Sequence, residues 1–240
     1  MLSQEERDMK TSCALAIAAL TAGSVHASVP TYDPALGTLP TAQGWTFVGS
    51  FNAPMGVAGN TLTYGATTTG GTTFWRETVQ PPMDFTTQTF SLSARVKLSG
   101  ADFGNFSGFR RGGFSLYLED DFGRYIIADM GDNRISLGND NNRTSDPVAT
   151  VDLTSEFRTL TLEAGPGGAR LLLDGVEQLT LGLGLRNDGD AGASWGEMTG
   201  LANVTQTQIQ NVTFIPAPGA AAPTDRVHSG LADTTNPHER

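Results

Sequence analysis

Glu119-Asp120-Asp121 is the one acidic cluster of this 240-residue chain that could serve a glycosidase. Glycosidic hydrolysis needs two carboxylates facing each other across the scissile bond. Three consecutive acids do not supply that pair, because successive strand residues point to opposite faces. Asp120-Asp121-Phe122-Gly123 also has the composition of a tight turn, so a solvated hairpin is the expected role. A Ser/His/Asp relay is excluded by position. The three histidines are His26, His228 and His238, and none falls in the body of the chain.

Two other sets of side chains could hold a ligand. Asp129, Asp132, Asn133, Asn139, Asp140, Asn141 and Asn142 form an oxygen-rich segment of the kind that coordinates Ca2+, with Asp129, Asp132, Asn139 and Asp140 as candidate ligands. The spacing matches no EF-hand, and the same residue types are favoured in turns. Asn187-Asp188-Gly189-Asp190 is a shorter case. Glycan recognition needs aromatic platforms for the sugar's C–H face and polar side chains for its hydroxyls. Trp75, Tyr117, Tyr125 and Trp195 are the candidate platforms, with Arg76, Arg95, Glu119 and Arg124 as polar partners. Trp45, Trp75 and Trp195 are equally suited to filling a core, and Trp195 lies in a glycine-flanked segment that reads as a loop.

The elements that must position these residues are strands. Ser91 to Leu98 alternates, with Leu92, Ala94, Val96 and Leu98 on one face and Ser91, Ser93, Arg95 and Lys97 on the other. Phe114 to Glu119 repeats the pattern, placing Tyr117 and Glu119 opposite Leu116 and Leu118, and Arg124 to Asp129 follows the tight turn as the second arm of a hairpin. If the 91–98 strand lies beside this hairpin, Arg95 comes within reach of Tyr117 and Glu119. Further strands are expected at 43–48, 62–64, 72–76, 157–164, 169–174 and 176–181, with sharp turns at Gly165-Pro166-Gly167-Gly168 and Asp174-Gly175. The last, 206–214, reads with Ile209, Asn211 and Thr213 on one face and Gln210, Val212 and Phe214 on the other.

Composition agrees with an all-β chain. It is 38% hydrophobic and 17% charged, and 29 glycines and 12 prolines punctuate many short segments. A formal net charge of −10 argues against nucleic acid as a partner, because a polyanion is repelled by such a surface. The N-terminus reads as a secretory signal starting at Met9: Lys10 is the basic start, 13–25 is a short apolar run, and Val25-His26-Ala27 is a small-x-small cleavage site. The run is far below the roughly 20 residues that span a bilayer. The expected organisation is a signal peptide over 1–27, one sandwich over 28–214 and a polar, Pro/Ala-rich tail over 215–240. Removal of the signal takes away Cys13, the only cysteine, so the mature protein would be free of disulfides. Its expected location is secreted, extracellular or periplasmic.

The succession Phe90 to Leu98, the hairpin 114–129 with its Asp-x-Gly-Arg turn, Arg158-Thr159-Leu160-Thr161-Leu162 and Leu171-Leu172-Leu173-Asp174-Gly175 resembles the strand order of concanavalin A-like lectin/glucanase jelly rolls, including the laminin-G-type members. That resemblance implies an all-β, two-sheet antiparallel jelly-roll sandwich. It further implies a glycan or cell-surface polysaccharide as partner and, in such loops, Ca2+ as a cofactor. The consecutive acids depart from the alternating Glu/Asp strand of the family's glucanases, and the motifs of its alginate lyases are not visible. Ile215-Pro216-Ala217-Pro218-Gly219 is similar to the opening of the Pro-Glu-Pro C-terminal (PEP-CTERM) sorting signals of exported bacterial proteins. The hydrophobic helix and basic cluster of those signals do not follow it, and an ordinary Pro/Ala linker is the alternative.

Three functions are therefore expected, in this order: a secreted carbohydrate-binding or adhesive module, a structural envelope or matrix protein without a small ligand, and a polysaccharide hydrolase or lyase. Export makes a direct prediction. Mass spectrometry of the mature protein should find Ser28 at the N-terminus, and an intact Met1 or Met9 would refute it.

Overall fold

The computed structural model describes residues 31–216, apart from short segments at 50–54, 66–71, 78–82, 101–103, 107–108, 112, 140–145, 186–190 and 198–205. Residues 1–30, which hold the expected signal segment, and those beyond Pro216 lie outside the described residues. In chain order the strands are β1 (Thr31–Tyr32), β2 (Trp45–Phe47), β3 (Met55–Ala58), β4 (Thr61–Tyr64), β5 (Thr73–Glu77) and β6 (Phe90–Ser99). There follow β7 (Gly104–Phe106), β8 (Phe109–Arg111), β9 (Phe114–Glu119), β10 (Arg124–Gly131), β11 (Arg134–Gly138) and β12 (Val148–Thr150). The last six are β13 (Arg158–Gly165), β14 (Gly168–Leu173), β15 (Val176–Leu181), β16 (Gly184–Leu185), β17 (Gly192–Glu197) and β18 (Gln206–Pro216). Two short 3-10 turns, Pro34–Leu36 and Pro40–Gln43, precede β2. Among the described residues no helix is long and apolar enough to cross a membrane.

Two antiparallel sheets of eight strands each form the jelly-roll sandwich. The first runs β15-β14-β13-β6-β18-β4-β3, with β1 on β18; the second runs β12-β11-β10-β9-β17-β5-β2, with β16 on β10. The separate β7–β8 ribbon packs against β10. The alternation of β6 does what a period of two requires: Phe90, Leu92, Ala94, Val96 and Leu98 are wholly buried between the sheets. Leu160 and Leu162 of β13, Leu116 and Leu118 of β9, and Ile126 and Ala128 of β10 complete that layer. Asp174 and Gly175 both have positive φ, 50° and 81°, the conformation a two-residue hairpin between β14 and β15 demands.

Three features differ from the sequence reading. In β18 the register shifts between Ile209 and Asn211, so Gln210 is the extra residue of a bulge. The bulge changes the phase, and Ile209, Val212 and Phe214 all face the core. Strict alternation separates Ile209 from the other two. Second, Trp195 is not in a loop. It lies in β17, whose six residues are all buried, and Gly196 beside it has φ +128°, where an added Cβ would sit 2.4 Å from the Thr73 carbonyl oxygen. Glycine at 196 is what lets β17 lie against β5. Third, residues 129–138 are not a loop but the end of β10, a two-residue turn and β11.

Leu116 is fully buried in the inter-sheet layer. Leu116→Ala should cost about 2–5 kcal/mol of unfolding free energy in a denaturant titration, and a silent substitution would place the residue on the wrong face.

Candidate functional site

The strands of the second sheet that bury leucines on one face carry polar and aromatic side chains on the other. From β9 come Ser115, Tyr117 and Glu119. Directly opposite them on β10 stand Asp129, Ile127 and Tyr125. Opposite on β17 stand Gly196, Ser194 and Gly192. Arg76 of β5 pairs across from Ser194, and Ser136 of β11 across from Asp129. Side chains on one face of adjacent strands interact across the ladder, and they do so here. The Tyr117 hydroxyl donates to Glu119 Oε2, Ser115 Oγ donates to Asp129 Oδ1 at 2.6 Å, and Arg76 Nε donates to Ser194 Oγ at 3.3 Å. The Tyr117 and Tyr125 rings lie 6.0 Å apart and, with Ile127, form a small apolar cluster separate from the main core. Ser136 Oγ is buried without a hydrogen-bond partner. Tyr117 is 7% exposed and Glu119 fully buried, so the central strands are covered on both faces.

The structure thus brings Tyr117, Glu119 and Arg76 together with Tyr125, and separates the other candidates from them. Arg95 belongs to β6 in the first sheet, where its Nε donates to Gln210 Oε1 at 2.8 Å and holds the bulge residue. The expectation that β6 lies beside the hairpin is therefore corrected: β6 lies between β13 and β18. Trp75 and Trp195 face the core at 1% and 0% exposure, with ring centroids 4.6 Å apart. They belong to the main core between the sheets, on the side opposite the Tyr117 face. Arg124 bridges Asp120 at 2.6 Å and Asp84 at 2.7 Å, with its guanidinium over the Phe122 ring, and acts as a structural tie. Sequence reasoning misses Ser115, Ser136 and Ser194. Each interrupts an apolar alternation, Phe114/Leu116, Ile135/Leu137 and Ala193/Trp195, and that pattern is the signal that could have found them.

The described members of the calcium set are each engaged by a different partner. Asp129 takes the Ser115 hydroxyl on the face described above, Asp132 accepts the Gly100 backbone N–H at 2.9 Å, and Asn139 Nδ2 donates to the Gly182 carbonyl at 2.7 Å. Asp140 and the 187–190 segment lie outside the described residues. Among the described residues no three His, Cys, Asp or Glu side chains come together as a metal site. The donors instead tie backbone segments to one another.

Asp120 explains the acidic triplet. It is 1% exposed, and its carboxylate accepts from the backbone N–H groups of Phe85 at 3.0 Å, Phe122 at 3.0 Å and Arg124 at 2.9 Å as well as from Arg124 Nε. Asp121 Oδ2 accepts the Met83 N–H at 3.0 Å. The two acids pin the 83–89 segment, whose Met83 and Phe85 are fully buried, to the hairpin turn. On the first sheet, a groove of about 550 Å3 is lined by Glu163, Gly165, Arg170, Glu177, Thr180 and Gly182. It offers no aromatic platform, and its charges pair with one another, Arg170 with Glu163 and Glu177.

No protein-family model and no curated protein sequence matches the chain. Solved structures do. The carbohydrate esterase vb_24B_21 of Shiga toxin-encoding bacteriophage phi24B superposes with a TM-score of 0.56 at 14% identity, over 78% of this chain and 96% of that one. Protein SO2946 of Shewanella oneidensis MR-1 gives 0.52 at 12% identity, over 93% and 98%. The exoplasmic/lumenal domain of VIP36, solved bound to Ca2+ and mannose, gives 0.48 at 15% identity, over 72% and 83%. At these identities the likeness is one of fold.

Removing the Asp120 carboxylate leaves three backbone donors without their acceptor and the Arg124 guanidinium with Asp84 as its remaining carboxylate partner. Asp120→Ala should therefore cost about 3–5 kcal/mol, as loss of one partner of a buried pair does. Asp120→Asn should cost less, since it keeps one acceptor oxygen. Thermal or urea unfolding of the two variants reads the difference.

Proposed function

We propose that this chain is an exported carbohydrate-binding β-sandwich module whose ligand lies on the Tyr117 face of the second sheet. The observation that carries this reading is the grouping of two tyrosine rings with Glu119, Asp129, Ser136, Ser194 and Arg76 on one sheet face. An aromatic ring offers a stacking surface for a sugar's C–H face, and carboxylates and hydroxyls at its edge satisfy sugar hydroxyls. The fold shared with a phage carbohydrate esterase supports the same chemistry, although fold alone does not transmit function. Export rests on the N-terminal pattern, with Lys10, the apolar run and Val25-His26-Ala27.

The arrangement favours binding over hydrolysis. Glu119 and Asp129 stand on adjacent strands with the Tyr117/Ile127 row between them on the same face. Glu119 is engaged by the Tyr117 hydroxyl and Asp129 by the Ser115 hydroxyl. A ligand that reaches this buried face replaces the neighbours that now cover it, so affinity depends on the cost of uncovering it as well as on the stacking and hydrogen bonds that the sugar forms.

A glycan array on the mature protein tests the reading. Tyr117→Ala would open a cavity in the small Tyr117/Tyr125/Ile127 cluster and confound folding with binding, so Tyr117→Phe is the sharper variant. It keeps the ring and removes the hydroxyl, and should weaken glycan binding about tenfold, about 1.4 kcal/mol, with the melting temperature shifted by only a few degrees. A blank array, together with a large loss of stability in Tyr117→Phe, would make this face a second core and the protein a structural module.

A further inference from the structure

Glu77 is the last residue of β5 and shares its inward face with Thr73 and Trp75. It is 4% exposed, and neither carboxylate oxygen has a hydrogen-bond partner. Directly across from it on β2 stands Trp45, 2% exposed, with its indole N–H also buried and unpartnered. The Trp45 ring meets Trp195 edge-on at 5.6 Å, and the Trp195 N–H is a third buried orphan. One acid and two donors thus lie unsatisfied in adjoining side chains. Buried polar groups in native proteins are nearly always paired, and an unpaired one asks for an explanation. The strand they border is a weak one: β2 has three residues and, among the described residues, lies at the sheet edge and pairs only with β5.

We propose that Glu77 is a proton-operated latch on β2: as the neutral acid it stays in the core beside Trp45 and keeps β2 in the sheet, and on losing its proton it leaves the core and β2 comes away.

Among the described residues, the surroundings of Glu77 carry no compensating cation. From β2 it faces Trp45; on β17 Trp195 stands across from Trp75, the next inward residue of β5, and the acidic Glu197 across from Thr73. From β1 the nearest titratable group is Tyr32, which stacks on Trp195 and is held protonated, its hydroxyl pushed up to about 12 chiefly by burial. The Pro40–Gln43 turn that packs on β2 holds no ionisable residue, and Asp33 is occupied in capping the Pro34–Leu36 turn. Arg76, the neighbour in sequence, points to the opposite face, where it donates to Ser194. A neutral carboxyl tolerates such apolar, aromatic surroundings, whereas nothing in them offers a charge to offset the dehydration of a carboxylate. Burial alone lifts the Glu77 carboxyl from 4.5 to about 8.

Below pH 4.5 the folded and unfolded chains both hold the proton; between 4.5 and about 8 only the folded chain does. Stability therefore falls as pH rises through that window and changes no further above it. The native latch itself opens near the upper limit, where the folded state gives up its proton.

A pH titration from about 6 to about 10 tests this, read by tryptophan fluorescence and by hydrogen exchange at the Val48 amide. That amide donates to the Phe74 carbonyl at 3.0 Å and ties the end of β2 to β5. The wild-type protein should show a reversible fluorescence change with a midpoint near 8, and a Val48 protection factor about tenfold lower above the midpoint. Glu77→Gln should be flat on both. The same transition in Glu77→Gln, or none in the wild type, overturns the proposal. If Glu77→Gln does not fold, the Glu77 carboxyl carbon shift in the wild-type protein decides: a midpoint near 8 supports the latch, and one near 4.5 removes it.

Discussion

Trp195 is stacked on Trp75 at 4.6 Å and on Tyr32 at 5.6 Å, with Trp45 edge-on to it, and Tyr64 meets Trp75 edge-on at 5.8 Å. These five rings come from β17, β5, β1, β2 and β4, elements far apart in the chain, and they bridge both sheets. Aromatic side chains bury the largest areas of any residue type and add specific ring geometry to the area term. The column therefore does what the shorter aliphatic side chains of β6 and β13 do elsewhere, and fixes the N-terminal strands to the C-terminal third. β17 is held in the middle of its sheet by this packing. Only because Trp195 points inward does Ser194 point outward, toward Tyr117 and Arg76.

Both faces of the central strands of the second sheet are buried, and they are not alike. One face of β9 and β10 is apolar throughout; the other joins serine, tyrosine and acid to the single aliphatic Ile127. A covered polar face is expensive unless its groups are paired. The Tyr117–Glu119, Ser115–Asp129 and Arg76–Ser194 bonds offset much of that cost. The same bonds pre-organise acceptors and donors, so that a hydroxyl-rich ligand would meet groups already held in place.

Environment separates four acids that look alike in sequence. Asp120 is buried but surrounded by donors and a guanidinium, and serves as an anchor. Asp121 holds one backbone amide at the surface end of the same turn. Glu119, one residue earlier than Asp120, points to the opposite side of the strand and joins the tyrosines. Glu77 is buried with no hydrogen-bond partner and, among the described residues, no cation beside it, and burial pushes its carboxyl up to about 8. Residue type sets only what each group can do; the number of donors within reach sets what it does.

What the sequence by itself determined is local. The period of two in β6 and β9, the Asp120–Gly123 and Asp174-Gly175 turns, and the division of Tyr117 and Glu119 from Leu116 and Leu118 follow from strand geometry and turn chemistry, which act over a few residues. Tertiary structure decided which strands became neighbours. It put Arg95 in the other sheet, since nothing in a strand's own alternation names its partner. It made the Gln210 bulge, which shifts phase to bring Val212 and Phe214 inward, and it turned Trp75 and Trp195 from candidate platforms into core. The oxygen-rich 129–139 stretch became strand and turn because Ser115, Gly100 and Gly182, distant in sequence, supply the partners that its side chains take. Those choices depend on burying apolar area between two sheets, a free energy that belongs to no single segment and appears only when all of them are packed together.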